Sequence, residues 1–188
     1  VQDLLKALAN EQIPRLPLAE SLDGHLPERA RGVRGVVGFL QTVGRTIGWT
    51  LRRGRSRTIP REHAASFANR RAILVLTRFE PTFTEALSAR ARAEKTTVHG
   101  ALSAAIVLAG LPEIGTPKTH IIFYSPLNMR DRFDPPIGED IGFYVAVGMS
   151  SHVVRTGHDF WSLARELKQG LQSAVDLDMP FHGLTGLA

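Results

Sequence analysis

Apolar positions recur along this chain with two different periods, and the changes of period divide it. Val33, Val36, Val37, Leu40, Val43, Ile47 and Leu51 fall at three- and four-residue steps, which predicts a helix within Arg29–Arg57. Gly35, Gly38, Gly44 and Gly48 interrupt it. Each interior glycine costs about 1 kcal/mol against alanine, so such a helix is expected to pack closely against something. From residue 71 the pattern shifts. "RAILVLTRFE" is rich in β-formers and predicts a strand. "PTFTEALSARARAE" predicts a helix, with Thr82 and Glu85 spaced as a capping box. "TTVHGALSAAIVLAGL" predicts a second helix, capped by Thr96 or Thr97, apolar nearly all round and therefore buried. "KTHIIFYSPL" and "IGFYVAVGMSSHVV" predict two further strands. "HDFWSLARELKQGLQSAV" predicts an amphipathic helix with Phe160, Leu163, Ala164, Leu167 and Leu171 on one stripe. The order β, α, α, β, β, α argues for a mixed α/β or α+β layer structure, with helices covering a sheet.

The two ends read differently from the middle. "VQDLLKALANEQ" opens inside an apolar-periodic helix with no capping residue before it, and "MPFHGLTGLA" stops as abruptly. Both read as cuts, so the chain is expected to be a fragment. Residues 11 to 30 are broken by Pro14, Pro17, Gly24 and Pro27 and predict an extended connector.

Composition narrows the chemistry. The 188 residues suffice for one domain with a core, or for part of a larger one. There are no cysteines, which removes disulfides, thiolate nucleophiles and Cys-ligated metals, and fits a cytoplasmic location. No apolar run reaches the ~18–20 residues of a membrane span. The start lacks the basic leader and apolar stretch of a signal peptide. The formal charge is +5, and 19 of the 23 basic residues are arginine. That balance fits an anionic partner, and it equally fits the codon bias of a GC-rich genome. Between Glu28 and Arg57 there are eight arginines and one acid. One reading is a packed helix with a solvated basic rim. The other is a basic helix that docks an acidic carrier protein or an anionic surface, with Arg45, Arg52 and Arg53 as contacts. No aromatic platform accompanies it, so nucleic acid is not expected as a partner.

Catalytic motifs are absent. The seven histidines, 25, 63, 99, 120, 152, 158 and 182, show no metal-ligand spacing. No G-x-S-x-G, G-x-G-x-x-G or P-loop occurs, so a metal site, a hydrolase serine and nucleotide binding lack support. His99, in the first turn of a helix, is either a general base or a packed, hydrogen-bonded side chain, and His120 is similar. The better lead is "SPLNMRDRFDPPIGEDIGFYVAV". Asn128 and Arg130 carry groups that can fix a loop backbone. Asp131, Asp134, Glu139 and Asp140 surround the arginine, so it can also simply tie the connector together by ion pairs. Gly142 allows close approach to the strand, and alternation places Tyr144 on its face.

Three stretches in succession, "TTVHGALSAAIVLA", "SPLNMRDRFDPPIGEDIGFYVAV" and "DFWSLARELKQGLQ", resemble the condensation-domain superfamily of acyltransferases, which shares the chloramphenicol acetyltransferase-like fold. The Asn-x-Arg version and the Arg-rich crossover helix resemble alcohol acetyltransferases and the polyketide-associated phthiocerol dimycocerosyl transferases. The resemblance implies acyl transfer from a CoA or carrier-protein thioester to a hydroxyl or amine, with no further cofactor. It implies an acyl carrier protein or polyketide synthase as partner. The family's general base is a His of an H-H-x-x-x-D-G motif, and no two histidines are adjacent here, so no catalytic residue is expected in this chain. By the same resemblance, Ser125, Asn128, Arg130, Gly142 and Tyr144 would border the substrate tunnel. Residues 1–19 would be the tail of a first half, 20–70 a crossover, and 71–188 most of a second half. A lone second half would expose an apolar face and be inactive.

Overall fold

The computed structural model describes residues 6, 8–9, 21–60, 66–138, 140 and 142–185. Most of the expected N-terminal helix and of the connector before residue 21 lies outside these residues, as do His63, Glu139 and Ile141. An antiparallel hairpin organises the rest. Strands β1 (Lys118–Asn128) and β2 (Val145–Arg155) pair from Lys118↔Arg155 to Asn128↔Val145. Alternation gives the hairpin two faces. Ile121 and Phe123 on β1, with Ser150, His152 and Val154 opposite or beside them on β2, form the helix-covered face. Tyr124 and Val147 point to the other side and are exposed.

The helices run α1 (Leu22–His25), α2 (Gly32–Arg53), α3 (Pro81–Ala93), α4 (Val98–Ile114), α5 (Phe160–Asp176) and α6 (Met179–Thr185). Asp159 caps α5, its carboxylate accepting from Ser162 N–H at 2.7 Å, and the predicted stripe buries Leu163, Ala164 and Leu167. Thr97, not Thr96, caps α4, accepting from Gly100 N–H at 3.0 Å. Thr96 instead donates its hydroxyl to the Ala164 carbonyl at 2.9 Å, joining α4 to α5. Most of the buried apolar side chains fall into two clusters. One joins Ala104 and Leu111 of α4 with Ile121, Val154, Leu163 and Leu167. The other joins Leu26, Ala30, Met129, Phe133, Ala146 and Phe181.

Four expectations need correcting, and a fifth, the close packing of α2, holds on an unexpected face. Residues 71–80 form no strand, and Ile73, Leu74, Val75 and Leu76 are each at least 80% exposed. β-propensity describes fit to a pleated, half-covered surface, and no described strand lies alongside this run. Residues 21–30 are not extended throughout: α1 and a 3-10 turn at Glu28–Ala30 carry Leu26 and Ala30 into the core. The Thr82–Glu85 capping box does not form, because Pro81 takes the first helical position and Glu80 is the N-cap, with no side-chain bond. Helix α4 is not buried all round, since its small residues Gly100, Ala101, Ser103 and Ala104 face inward while Leu102 and Ile106 face out.

The fifth expectation concerns α2. The helix packs closely, but on its small face: Gly35, Gly38 and Thr42 are buried, and α6 lies against them. A Cβ on Gly38 would fall 2.1 Å from His182 Nε2, so only glycine admits that ring. Thr42 Oγ1 is 3.0 Å from His182 Nδ1. Burial lowers the His182 pKa, and Asp178 opposes the shift. The apolar stripe faces away from the protein body, with Val33 and Leu51 each 80% exposed. Gly44 has open space where its Cβ would sit. Gly44→Ala is therefore expected to stabilise the fold by up to about 1 kcal/mol, read as a rise in the thermal midpoint.

Candidate functional site

Beyond Asn128 the chain makes a 3-10 turn, Arg130–Arg132, and returns to β2 at Val145. Asn128 starts this excursion by accepting Arg130 N–H on Oδ1 at 3.1 Å, a side chain closing a turn in place of backbone. The Arg130 guanidinium then spans the loop, donating to the Gly138 carbonyl at 2.7 Å and the Asp140 carbonyl at 2.8 Å. Its planar fork also stacks 4.6 Å from the centre of the Tyr144 ring. Arg130 thus fixes the loop backbone through main-chain oxygens, one of the two roles expected of it, and not through the surrounding carboxylates. A Cβ on Gly142 would lie 2.6–2.7 Å from ring atoms of Tyr144, so that ring occupies the space the glycine leaves.

Ser125 stands one turn of the pleat before this loop and is 2% exposed. Its cross-strand partner is Gly148, and Leu171 Cδ1 fills the space that a Cβ there would take. His99, exposed in the first turn of α4, places Nε2 3.1 Å from Ser125 Oγ. Two residues weighed separately in the sequence are therefore one pair. The structure brings Asn128, Arg130, Gly142 and Tyr144 together as one strapped loop, with Ser125–His99 beside it on the strand that enters it. An open cleft of about 470 Å³ flanks the loop on its α6 side, lined by Met129, Asp131, Arg132, Asp176 and Phe181 among others. It is mixed in charge, and Arg29 crosses its rim to pair with Asp178 at 2.8 Å.

A second polar cluster was missed from sequence. His120 Nδ1 lies 2.7 Å from the Gly54 carbonyl, which only accepts, so that nitrogen carries the proton. In the neutral ring Nε2 then accepts from Ser151 Oγ at 2.8 Å. Arg53 closes the chain by donating to Ser151 Oγ at 3.0 Å and to the Ser151 carbonyl. Arg53 is thus turned onto the sheet, while Arg45 and Arg52 remain exposed on α2. One register step away, His152 sits with Nε2 2.8 Å from Ser150 Oγ, beneath Gly170 of α5. Burial lowers its pKa from 6.5 to about 4, the charges of Arg53 and His120 add to that, and Glu166 opposes it. His152 is neutral at physiological pH. No sequence spacing signals this cluster, because it forms only where the end of α2 meets the hairpin.

Among the described residues no group of His, Asp and Glu could hold a metal ion, and no single helix is long and apolar enough to cross a membrane. No described histidine pair has the geometry of a general base held by a carboxylate at the Arg130 loop; His158 pairs with Glu166 at 3.1 Å, away from it. Arg130 is engaged with two loop carbonyls and His99 with Ser125, so the arrangement holds the loop and the entering strand in one shape. No curated protein and no solved structure matches the chain. Residues 68–185, from before α3 to the end of α6, match the family model described as the phthiocerol/phthiodiolone dimycocerosyl transferase C-terminus. The strapped Arg130 loop, the hairpin and both covering helices fall inside that match, and the chain belongs to this transferase family.

Proposed function

We propose that this chain is the substrate-bordering part of an acyltransferase that moves an acyl group from a CoA or carrier-protein thioester to a hydroxyl or amine. The observation that carries this reading is the family match over residues 68–185. In such a transfer the acceptor oxygen or nitrogen attacks the thioester carbonyl, and the tetrahedral oxyanion collapses with loss of the C–S bond. The acceptor's proton passes through a general base to the leaving thiolate. The base, a His of the H-H-x-x-x-D-G type, is supplied from outside residues 1–188. The chain would then be the tail of a first half (1–19), a crossover (20–70) and most of a second half (71–188) of a chloramphenicol acetyltransferase-like fold. Ser125 and the Asn128–Tyr144 loop border the acyl or acceptor path in this reading.

The test is thiol release from acyl-CoA or an acyl carrier by the full-length protein, with a long-chain alcohol present. Alcohol-dependent release of thiol and formation of ester are expected. Release that is the same with and without any acceptor would sink the proposal. Arg130→Lys keeps the charge but loses the fork that reaches both carbonyls and the stack on Tyr144. It is expected to lower kcat/KM by roughly ten- to a hundredfold, the scale set by misplaced positioning groups, with the far-UV spectrum unchanged.

A further inference from the structure

Helix α2 presents three faces that do different things. One is packed: Gly35, Gly38 and Thr42 lie against α6. At about 100° per residue, Leu40 stands roughly 200° from Thr42 around the axis, so the apolar stripe points straight out. Val33, Val36, Leu40, Ile47 and Leu51 lie on it, and all are exposed. The third face carries Arg34, Arg45 and Arg52, within about 20° of one another and between the other two. No acidic residue occurs anywhere in the helix. The stripe from Val33 to Leu51 is about 27 Å long at 1.5 Å per residue.

We infer that α2 lies on an anionic lipid surface, apolar stripe down and arginine row at the headgroups. A partner that met only the arginines would leave five large apolar side chains in water. A partner that met only the stripe would leave the arginine row, about 120–140° around the axis from Leu40, to solvent. An anionic bilayer satisfies both along one line: phosphates at the surface take Arg34, Arg45 and Arg52, and the acyl layer just below takes the stripe. The helix lies in the interface and does not span it, in keeping with its charge and hydropathy. Its far end is pinned to the hairpin through Arg53 and Ser151, so the protein body stays oriented over the surface. This inference does not depend on the acyl-transfer reading.

The test is co-sedimentation of the full-length protein with vesicles of equimolar phosphatidylglycerol and phosphatidylcholine, against phosphatidylcholine alone. Partitioning is expected to be at least roughly tenfold stronger on the anionic vesicles and to weaken with salt. The variant R34Q/R45Q/R52Q removes three near-surface charges and is expected to partition about a hundredfold less. L40S/I47S changes only exposed side chains and is expected to lose binding while keeping the native far-UV spectrum. Equal partitioning on both vesicle types, or variants that bind like the parent, would overturn the inference. So would capture by an acidic acyl carrier protein without vesicle binding, which would assign the arginine row to a protein partner. Loss of the folded state in L40S/I47S would overturn it too, since the stripe would then be part of an interior.

Discussion

Replacing Gly100 with alanine is expected to lower stability by about 1–3 kcal/mol, although alanine is the better helix former. Gly100 sits in the first turn of α4 where that helix crosses α5. An added Cβ would lie 2.5 Å from Thr96 Oγ1 and 2.7 Å from the Ala164 carbonyl oxygen. The carbonyl is backbone inside α5 and cannot swing aside. It is also the acceptor of the Thr96 hydroxyl, so moving α5 away would lengthen a buried hydrogen bond as well. For a chain of this size the cost corresponds to a fall of roughly 5 °C in the thermal midpoint. Gly44→Ala, in open space, is expected to shift it the other way. A Gly100→Ala protein that melts at or above the parent's midpoint would show that α4 and α5 are not held at this distance.

Acid is expected to weaken the fold through His152. The folded pKa is about 4 and the ordinary value is 6.5, because burial disfavours the imidazolium. In this window the unfolded chain binds a proton that the folded chain refuses. Stability from this group is thus fully present above pH 6.5, falls as pH drops toward 4, and is constant below. The loss amounts to about 3 kcal/mol over the whole window. His182, lowered in the same direction, adds to the trend. His152→Gln keeps a partner for Ser150 and removes the titration. Denaturant midpoints of the two proteins, measured at pH 7 and near pH 4.5, should diverge at the lower value, with the parent losing more. Equal losses in both would refute the role of His152.

Much of the fold is legible in the sequence, for local reasons. β1 and β2 announce themselves by alternation, α5 by its stripe and Asp159, and α4 by Thr97. The Thr82–Glu85 box yields locally to Pro81, and the larger failures concern partners. The run Ile73–Leu76 has the composition of a strand, but a strand needs a neighbour, and composition does not supply one. The α2 stripe announces a helix, yet Gly38 decides which side packs, because only a glycine there admits His182. At the site, sequence offered two roles for Arg130, bracing the loop backbone or pairing with carboxylates, and the structure has the first, without sequence showing which carbonyls would be met. Carbonyl groups, which every residue carries, leave no mark in a sequence pattern. The His120–Ser151–Arg53 chain is invisible for a related reason: its members are 31 to 98 residues apart and meet only in the folded hairpin.

The hairpin's share in both apolar clusters bears on how the molecule comes apart. Ile121 and Val154, near one end of the ladder, belong to one cluster, and Ala146, near the other end, belongs to the second. A slip of one residue in β2 would turn both Ala146 and Val154 to the opposite face and so disturb both clusters together. The two clusters are thus coupled through one ladder. Heat should dissolve them in one cooperative step, seen as a single calorimetric peak, and α3, which adds only Ala91 to the buried set, is the element free to fray ahead of it.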